Sequence, residues 1–295
     1  MNDEEGRTPG VWASTGDGRR GIDRAWGRLT SLALRSDLLI VGAAAEIEVT
    51  EACVCVRTPS LPRLRVGNAV VFPHPPEVSD VVRWITCMER RLGPETARFG
   101  RIAWEGGPAP GDVHAAFAQA GFTRYDSLSM TTAALGRRPT APPTAFHVRP
   151  VVSDTDWEGL LAFHVEANPV VCADDRAFLA ARLGRYRADA EAGRGAWFAA
   201  YADGHVVGCC GVALGMGLGR LQGLETSTRL RRAGVGLALV DAAGAWALRQ
   251  EGTNRLVSVV DPGYHARRLF ASAGFAPHDL LSGVVPGHSL APPAG

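Results

Sequence analysis

The stretch from Gly223 to Val240 constrains this chain more than any other part of it: Gly-Leu-Glu-Thr-Ser-Thr-Arg-Leu-Arg-Arg-Ala-Gly-Val-Gly-Leu-Ala-Leu-Val. It predicts the end of a strand, a tight turn and the start of a long helix over 232–251, with Arg-x-x-Gly-x-Gly (Arg231, Gly234, Gly236) at the joint. Glycines there remove Cβ, so neighbouring backbone N–H groups converge on one point. A helix N-terminus adds about half a positive charge to that point. Arg231 and Arg232 add two full ones. A diphosphate suits such a place. The dinucleotide fingerprint does not fit, because Leu239 holds the place of its third glycine. The Walker pattern needs Gly-Lys-Ser/Thr, and the chain has no lysine.

A second stretch narrows the choice. Arg255–Val260 reads as a buried strand, and Gly263-Tyr264-His265-Ala266-Arg267-Arg268-Leu269-Phe270-Ala271-Ser272-Ala273-Gly274-Phe275 follows it. The two stretches together resemble the GCN5-related N-acetyltransferase (GNAT) family. The family's loop, Gln/Arg-x-x-Gly-x-Gly/Ala, is matched at Arg231, Gly234 and Gly236. Its later pattern, Asn-x-x-Ala-x-x-Leu-Tyr-x-x-x-Gly-Phe, is matched at Ala266, Leu269, Gly274 and Phe275. The chain departs from it at Gly263, for Asn, and at Phe270, for Tyr.

The resemblance implies an α+β (mixed α/β) fold that holds acetyl-CoA or another acyl-CoA between two splayed parallel strands, here Leu221–Thr226 and Arg255–Val260. Backbone amides of Arg232, Ala233, Gly234, Val235 and Gly236 would hold the diphosphate, with Arg231 beside them. Thr226 would pair with the pantetheine arm, and Tyr264, Ala266 and Phe270 would line the thioester side. The reaction implied is direct attack of a primary amine on the thioester, in a ternary complex.

An alkyl amine is mostly protonated at neutral pH, so a side chain must take a proton. Glu225, the only carboxylate of the strand leading into the loop, is the leading base; His265, and His164 and Glu166 on the first substrate-side helix, are alternatives. The family's general acid is the Tyr that Phe270 replaces, which leaves Tyr264 as the substitute. The donor is an acyl-CoA or an acyl carrier protein with the same pantetheine arm. The acceptor is a small-molecule or peptide amine. A non-catalytic CoA-binding relative is the competing reading.

A pattern inside the chain predicts two related parts. Phe117-Ala-Gln-Ala-Gly-Phe122 recurs as Phe270-Ala-Ser-Ala-Gly-Phe275, each a helix end with Gly at the turn into a strand. Under that offset Val78 corresponds to Arg231, in Pro75-Pro76-Glu77-Val78, which has no Gly-x-Gly and two prolines that remove donors. The expected organisation is tandem GNAT-like domains, each a twisted mixed sheet flanked by helices: a disordered tail over 1–20, a degenerate first domain over 21–132, a linker over 133–145, a catalytic domain over 146–284 and a loose tail over 285–295. The first part should bind no CoA.

Composition is that of a soluble globular protein, with the cytoplasm as the expected location: 46% hydrophobic and 21% charged residues, no bilayer-length apolar run, and a net charge of +1 that recruits neither nucleic acid nor membrane. The chain is expected to act as a monomer or homodimer. Six cysteines show no Cys-x-x-Cys spacing, so no metal is expected; they read as small buried hydrophobes, with Cys172 as a minor candidate nucleophile.

Overall fold

The computed structural model describes residues 18–136, 145–167 and 173–287. In chain order the first half holds α1 (Gly18–Arg28), α2 (Leu32–Val41), β1 (Glu46–Val49), β2 (Val54–Arg57), β3 (Ala69–Phe72), α3 (Val81–Leu92), the short α4 (Pro94–Ala97), β4 (Arg101–Trp104), α5 (Gly111–Gln119) and β5 (Phe122–Thr132). The second half holds β6 (His147–Pro150), α6 (Asp154–Ala167), α7 (Ala173–Glu191), β7 (Gly195–Ala202), β8 (His205–Gly215), β9 (Leu218–Thr226), α8 (Val235–Leu248), β10 (Arg255–Val260), α9 (Ala266–Ser272) and β11 (Ala276–Pro286). The fold is mixed α/β.

Apolar residues on both sides of the strands explain why helices cover both faces. Val54 and Val56 pack against Leu34, Leu38 and Val41 of α2. Cys55 faces the other way, towards Trp84 and Met88 of α3 and Phe117 of α5. The second half repeats this. Trp197, Ala199 and Cys209 pack under α6 and α7, while Phe198 and Cys210 pack under Leu239 and Ala243 of α8.

The strands form one mixed sheet in the order β1-β2-β3-β4-β11-β5-β10-β9-β8-β7-β6. The last strand of each half is inserted beside the other half. β5 pairs antiparallel with β10, from Leu128–Val260 to Thr132–Leu256. β11 pairs antiparallel with β4 and, over most of its length, with β5. The sequence echo ends where this exchange begins: Gly121 (φ 82°) and Gly274 (φ 94°) turn α5 and α9 into β5 and β11. Left-handed backbone explains glycine at both places.

Two expected elements differ. Apolar spacing predicts one helix from Asp23 to Leu39, but the chain breaks between α1 and α2. Glu105 accepts the Thr30 and Ser31 N–H groups at 2.6 and 2.7 Å, and Asp279 accepts the Ser31 hydroxyl and Leu32 N–H. These carboxylates lie far off in sequence, so the break has no local signal beyond Ser31, an N-cap. Alternating apolar residues predict a strand from Leu64 to Phe72, but the chain is strand only from Ala69. The buried Asn68 amide donates to the Leu61, Pro62 and Leu64 carbonyls and holds the preceding residues in turns. Residues 18–20, placed in the tail by composition, begin α1.

Candidate active site

β9 and β10 run side by side for only three pairs: Leu218–Arg255, Gly219–Leu256 and Arg220–Val257. After that each follows its outer neighbour, β9 with β8 as far as Thr226 and β10 with β5 as far as Val260. The two strands therefore part, as the resemblance implied for 221–226 and 255–260. A bulge on β9 accompanies the parting. Cys209 opposes Glu225, but Gly211 opposes Gln222, which leaves one extra residue on β9. Gly223 (φ 58°) sits in it, and a Cβ there would meet the Trp197 ring at 2.6 Å. Such a bulge bends and twists the strand that carries it.

The loop from β9 to α8 is built to leave its amides open. Arg232 (φ 66°) and Gly234 (φ 86°, ψ 0°) are both left-handed, and Val235 starts the helix. No side chain among the described residues caps α8 at Gly234. The first N–H groups of any α-helix have no partner within it, and those of Val235 and Gly236 are at this end of α8. The Ala233 N–H differs from the expectation: it turns back to the Leu230 carbonyl at 3.2 Å. The Arg231 and Arg232 side chains are exposed. The two glycines also serve different ends. Gly234 supplies a backbone angle, with open space around it, whereas a Cβ on Gly236 would lie 2.9 Å from Leu269 of α9 and 3.5 Å from Thr226.

Glu225 is buried at the end of β9, and its Oε2 lies 2.8 Å from Nδ1 of His164 on α6. Two candidates that the sequence left as alternatives are thus in contact. His164 Nε2 faces Cys209 Sγ at 3.8 Å, and that thiol also donates to the Gly223 carbonyl at 3.4 Å. Burial holds the Cys209 thiol well above the usual thiol range, with the Glu225 charge adding to the effect. The thiol therefore stays protonated. With the thiol proton on the Gly223 carbonyl, the contact of Nδ1 with Glu225 is what sets the orientation of the His164 ring.

The other expected residues separate. Glu166, His265 and Tyr264 are exposed, and the Tyr264 and His265 rings pack together with centroids 3.9 Å apart. Ala266 is half-buried at the start of α9. Phe270 does not face an open site. It is 3% exposed, edge-on to Phe275 at 5.2 Å, within the core under α8. Cys172 lies outside the described residues. Sequence reading missed Cys209 and the bulge. A glycine inside a strand signals a bulge, so Gly223 could have revealed it; nothing local announces Cys209. Among the described residues no group of His, Cys, Asp or Glu is arranged to hold a metal, and no helix is long and apolar enough to cross a membrane.

Residues 157–275, which include the fork, the open helix mouth and Glu225, match the acetyltransferase (GNAT) family. That part of the chain, residues 157–275, belongs to the GNAT superfamily. Solved structures extend the likeness in fold over both halves of the chain. A GCN5-related N-acetyltransferase from Kribbella flavida is 18% identical with a TM-score of 0.59, over 89% of this chain and 99% of that one. A protein from Staphylococcus epidermidis described as functionally unknown and conserved is 11% identical with a TM-score of 0.63, over 80% and 91%. A GCN5-related N-acetyltransferase from Sphaerobacter thermophilus is 19% identical with a TM-score of 0.53, over 80% and 81%. No curated protein matches the sequence.

Proposed function

We propose that the second half of the chain is an N-acyltransferase that moves an acetyl or other acyl group from acyl-CoA to a small-molecule or peptide amine. One observation carries the reading: the strand fork opens beside the uncapped start of α8, with Glu225 on the forked strand. The Gly234, Val235 and Gly236 amides and the Arg231 and Arg232 side chains hold the diphosphate. The pantetheine arm lies in the fork, beside Thr226.

Glu225, directly or through a water, takes the proton of the incoming ammonium, so that a neutral amine attacks the thioester carbonyl. His164 holds the carboxylate in place. Binding both reactants in one cleft supplies much of the remaining acceleration. The C–N bond forms as the C–S bond breaks, CoA leaves as a thiolate, and the second proton that the nitrogen loses on becoming an amide passes to solvent or to that thiolate. Phe270 has no hydroxyl to protonate it. Tyr264 is the remaining hydroxyl candidate, and a thiol of pKa ~8.5 leaves tolerably without help.

The test is a panel of amines with acetyl-CoA and longer acyl-CoAs, reading free thiol and acylated product. Thiol release that depends on amine and on Glu225 supports the reading. CoA binding without turnover of any pair would favour the second one, a non-catalytic CoA-binding protein, which the buried Phe270 makes specific. An acyl carrier protein offered as donor separates the two sources of the pantetheine arm.

A further inference from the structure

Around Asp37, where the halves meet under α2, two buried guanidiniums face one carboxylate; the buried Glu105 carboxylate lies at the other end of the helix, on the Thr30 and Ser31 N–H groups. Asp37 of α2 accepts from Arg101 of β4 at 2.6 Å and from Arg220 of β9 at 3.1 Å. All three side chains are 6–7% exposed. An arginine side chain stays protonated in a protein. Two guanidiniums thus share a single carboxylate, and one positive charge is left over in a place that water hardly reaches. Isolated buried charge is costly unless it is paired.

The neighbouring groups do not cancel it. Tyr125 of β5 lies beside Arg101, but burial pushes its hydroxyl above its ordinary range, so it is no phenolate. Arg65 adds a positive field at Arg101 and Tyr125. The nearby carboxylate of Asp189 already takes Arg185 and Arg194. Two buried donors lack a well-formed hydrogen bond here, Nε of Arg101 and Nε of Arg220, and the Tyr125 hydroxyl, which lies against the Arg101 guanidinium, has no acceptor for its own proton. Orphaned buried donors ask for an unseen water or ion. A water would satisfy the donors and leave the charge; an anion satisfies both.

We propose that one chloride-sized monovalent anion binds between Arg101, Arg220 and Tyr125, next to Asp37, and clamps the first half of the chain to the second. The site takes its donors from β4 and β5 of one half and β9 of the other. It stands apart from the proposed diphosphate loop, and it does not depend on the acyltransfer reading.

The direct test is a crystal of the full chain grown with bromide in place of chloride, with data collected at the bromine edge. An anomalous peak within hydrogen-bond reach of the two Nε atoms is the expected result; only water-like density there overturns the proposal. In solution, thermal unfolding is followed in sodium chloride and in sodium gluconate at equal ionic strength. The wild type should gain about 2 °C or more between ~1 mM and ~300 mM chloride over gluconate. Arg220→Met, which removes the surplus charge, should lose that difference. Equal chloride and gluconate curves for the wild type would also overturn it.

Discussion

The two halves of the molecule present the same strand–helix–strand joint in opposite states. In the second half β9 and β10 part after three pairs, and α8 begins on left-handed residues with its amides open. In the first half β3 and β4 stay parallel and paired along their whole length, from Ala69–Arg101 to Phe72–Trp104. The 3-10 turn Val78–Asp80 that leads into α3 is closed by the chain's own acids: the Asp80 carboxylate accepts the Glu77 N–H at 2.9 Å and pairs with Arg83, and the Glu77 carboxylate accepts the Asp80 N–H in return. A carboxylate at a helix start takes the place, and the favourable field, that a bound phosphate would use. Opening such a joint needs three local changes together: a bulge, a left-handed loop and the absence of a capping acid.

The prediction with the largest effect concerns what joins the halves. Asp37→Asn leaves two buried guanidiniums without their shared carboxylate and should cost about 3–5 kcal/mol of stability, read by chemical denaturation. A loss below about 1 kcal/mol would mean that the halves do not lean on this group. Next comes Glu225→Gln. Turnover with the best amine should fall by ~10²–10⁴-fold while CoA affinity, measured by calorimetry, stays the same. A loss of CoA affinity instead would move Glu225 from proton transfer to the binding loop.

Gly234→Val sharpens the contrast between the helix starts. Only glycine is at ease at φ 86°, and tilting the amides away should weaken CoA about 10–100-fold, the worth of one or two hydrogen bonds to a charged group. Glu77→Ala in the first half should leave CoA affinity untouched. If it created a second CoA site, the first half would be a masked copy rather than a closed one.

The smallest effect is one of pH. The Asp156 carboxyl is held well below the usual carboxylate range, chiefly by Arg149, with the Ser153 and Val152 N–H groups adding to it. Its folded value is depressed, so its contribution is complete above the unfolded value of ~4 and fades as pH falls further. Asp156→Asn should therefore be less stable than wild type at pH 7, and the gap should narrow below about pH 4.

The geometry of the candidate site was legible in the sequence wherever its parts were local. Gly234 needs a left-handed angle and stands between a strand and a helix, so pattern alone located the open amides. Phe270 was legible as a missing hydroxyl, but not as a core residue, because its neighbour Phe275 fixes its direction only once α9 has turned. Glu225 was a base candidate from its place on the strand. Its contact with His164 depends on how α6 lies over β8, and no spacing encodes that. The same holds for β5 and β11. Each was readable as a strand, yet which strand it would join depends on the whole sheet.

The exchange of those two strands bears on how the molecule can come apart. β5 and β11 are held against each other from Phe122–Pro286 to Thr131–Ala276, and each also borders a strand from the opposite half. A protease that cuts the connection between residues 136 and 145 should therefore yield two fragments that migrate as one particle. Either fragment expressed by itself would expose an unsatisfied sheet edge, and mixing the two should restore what neither has alone.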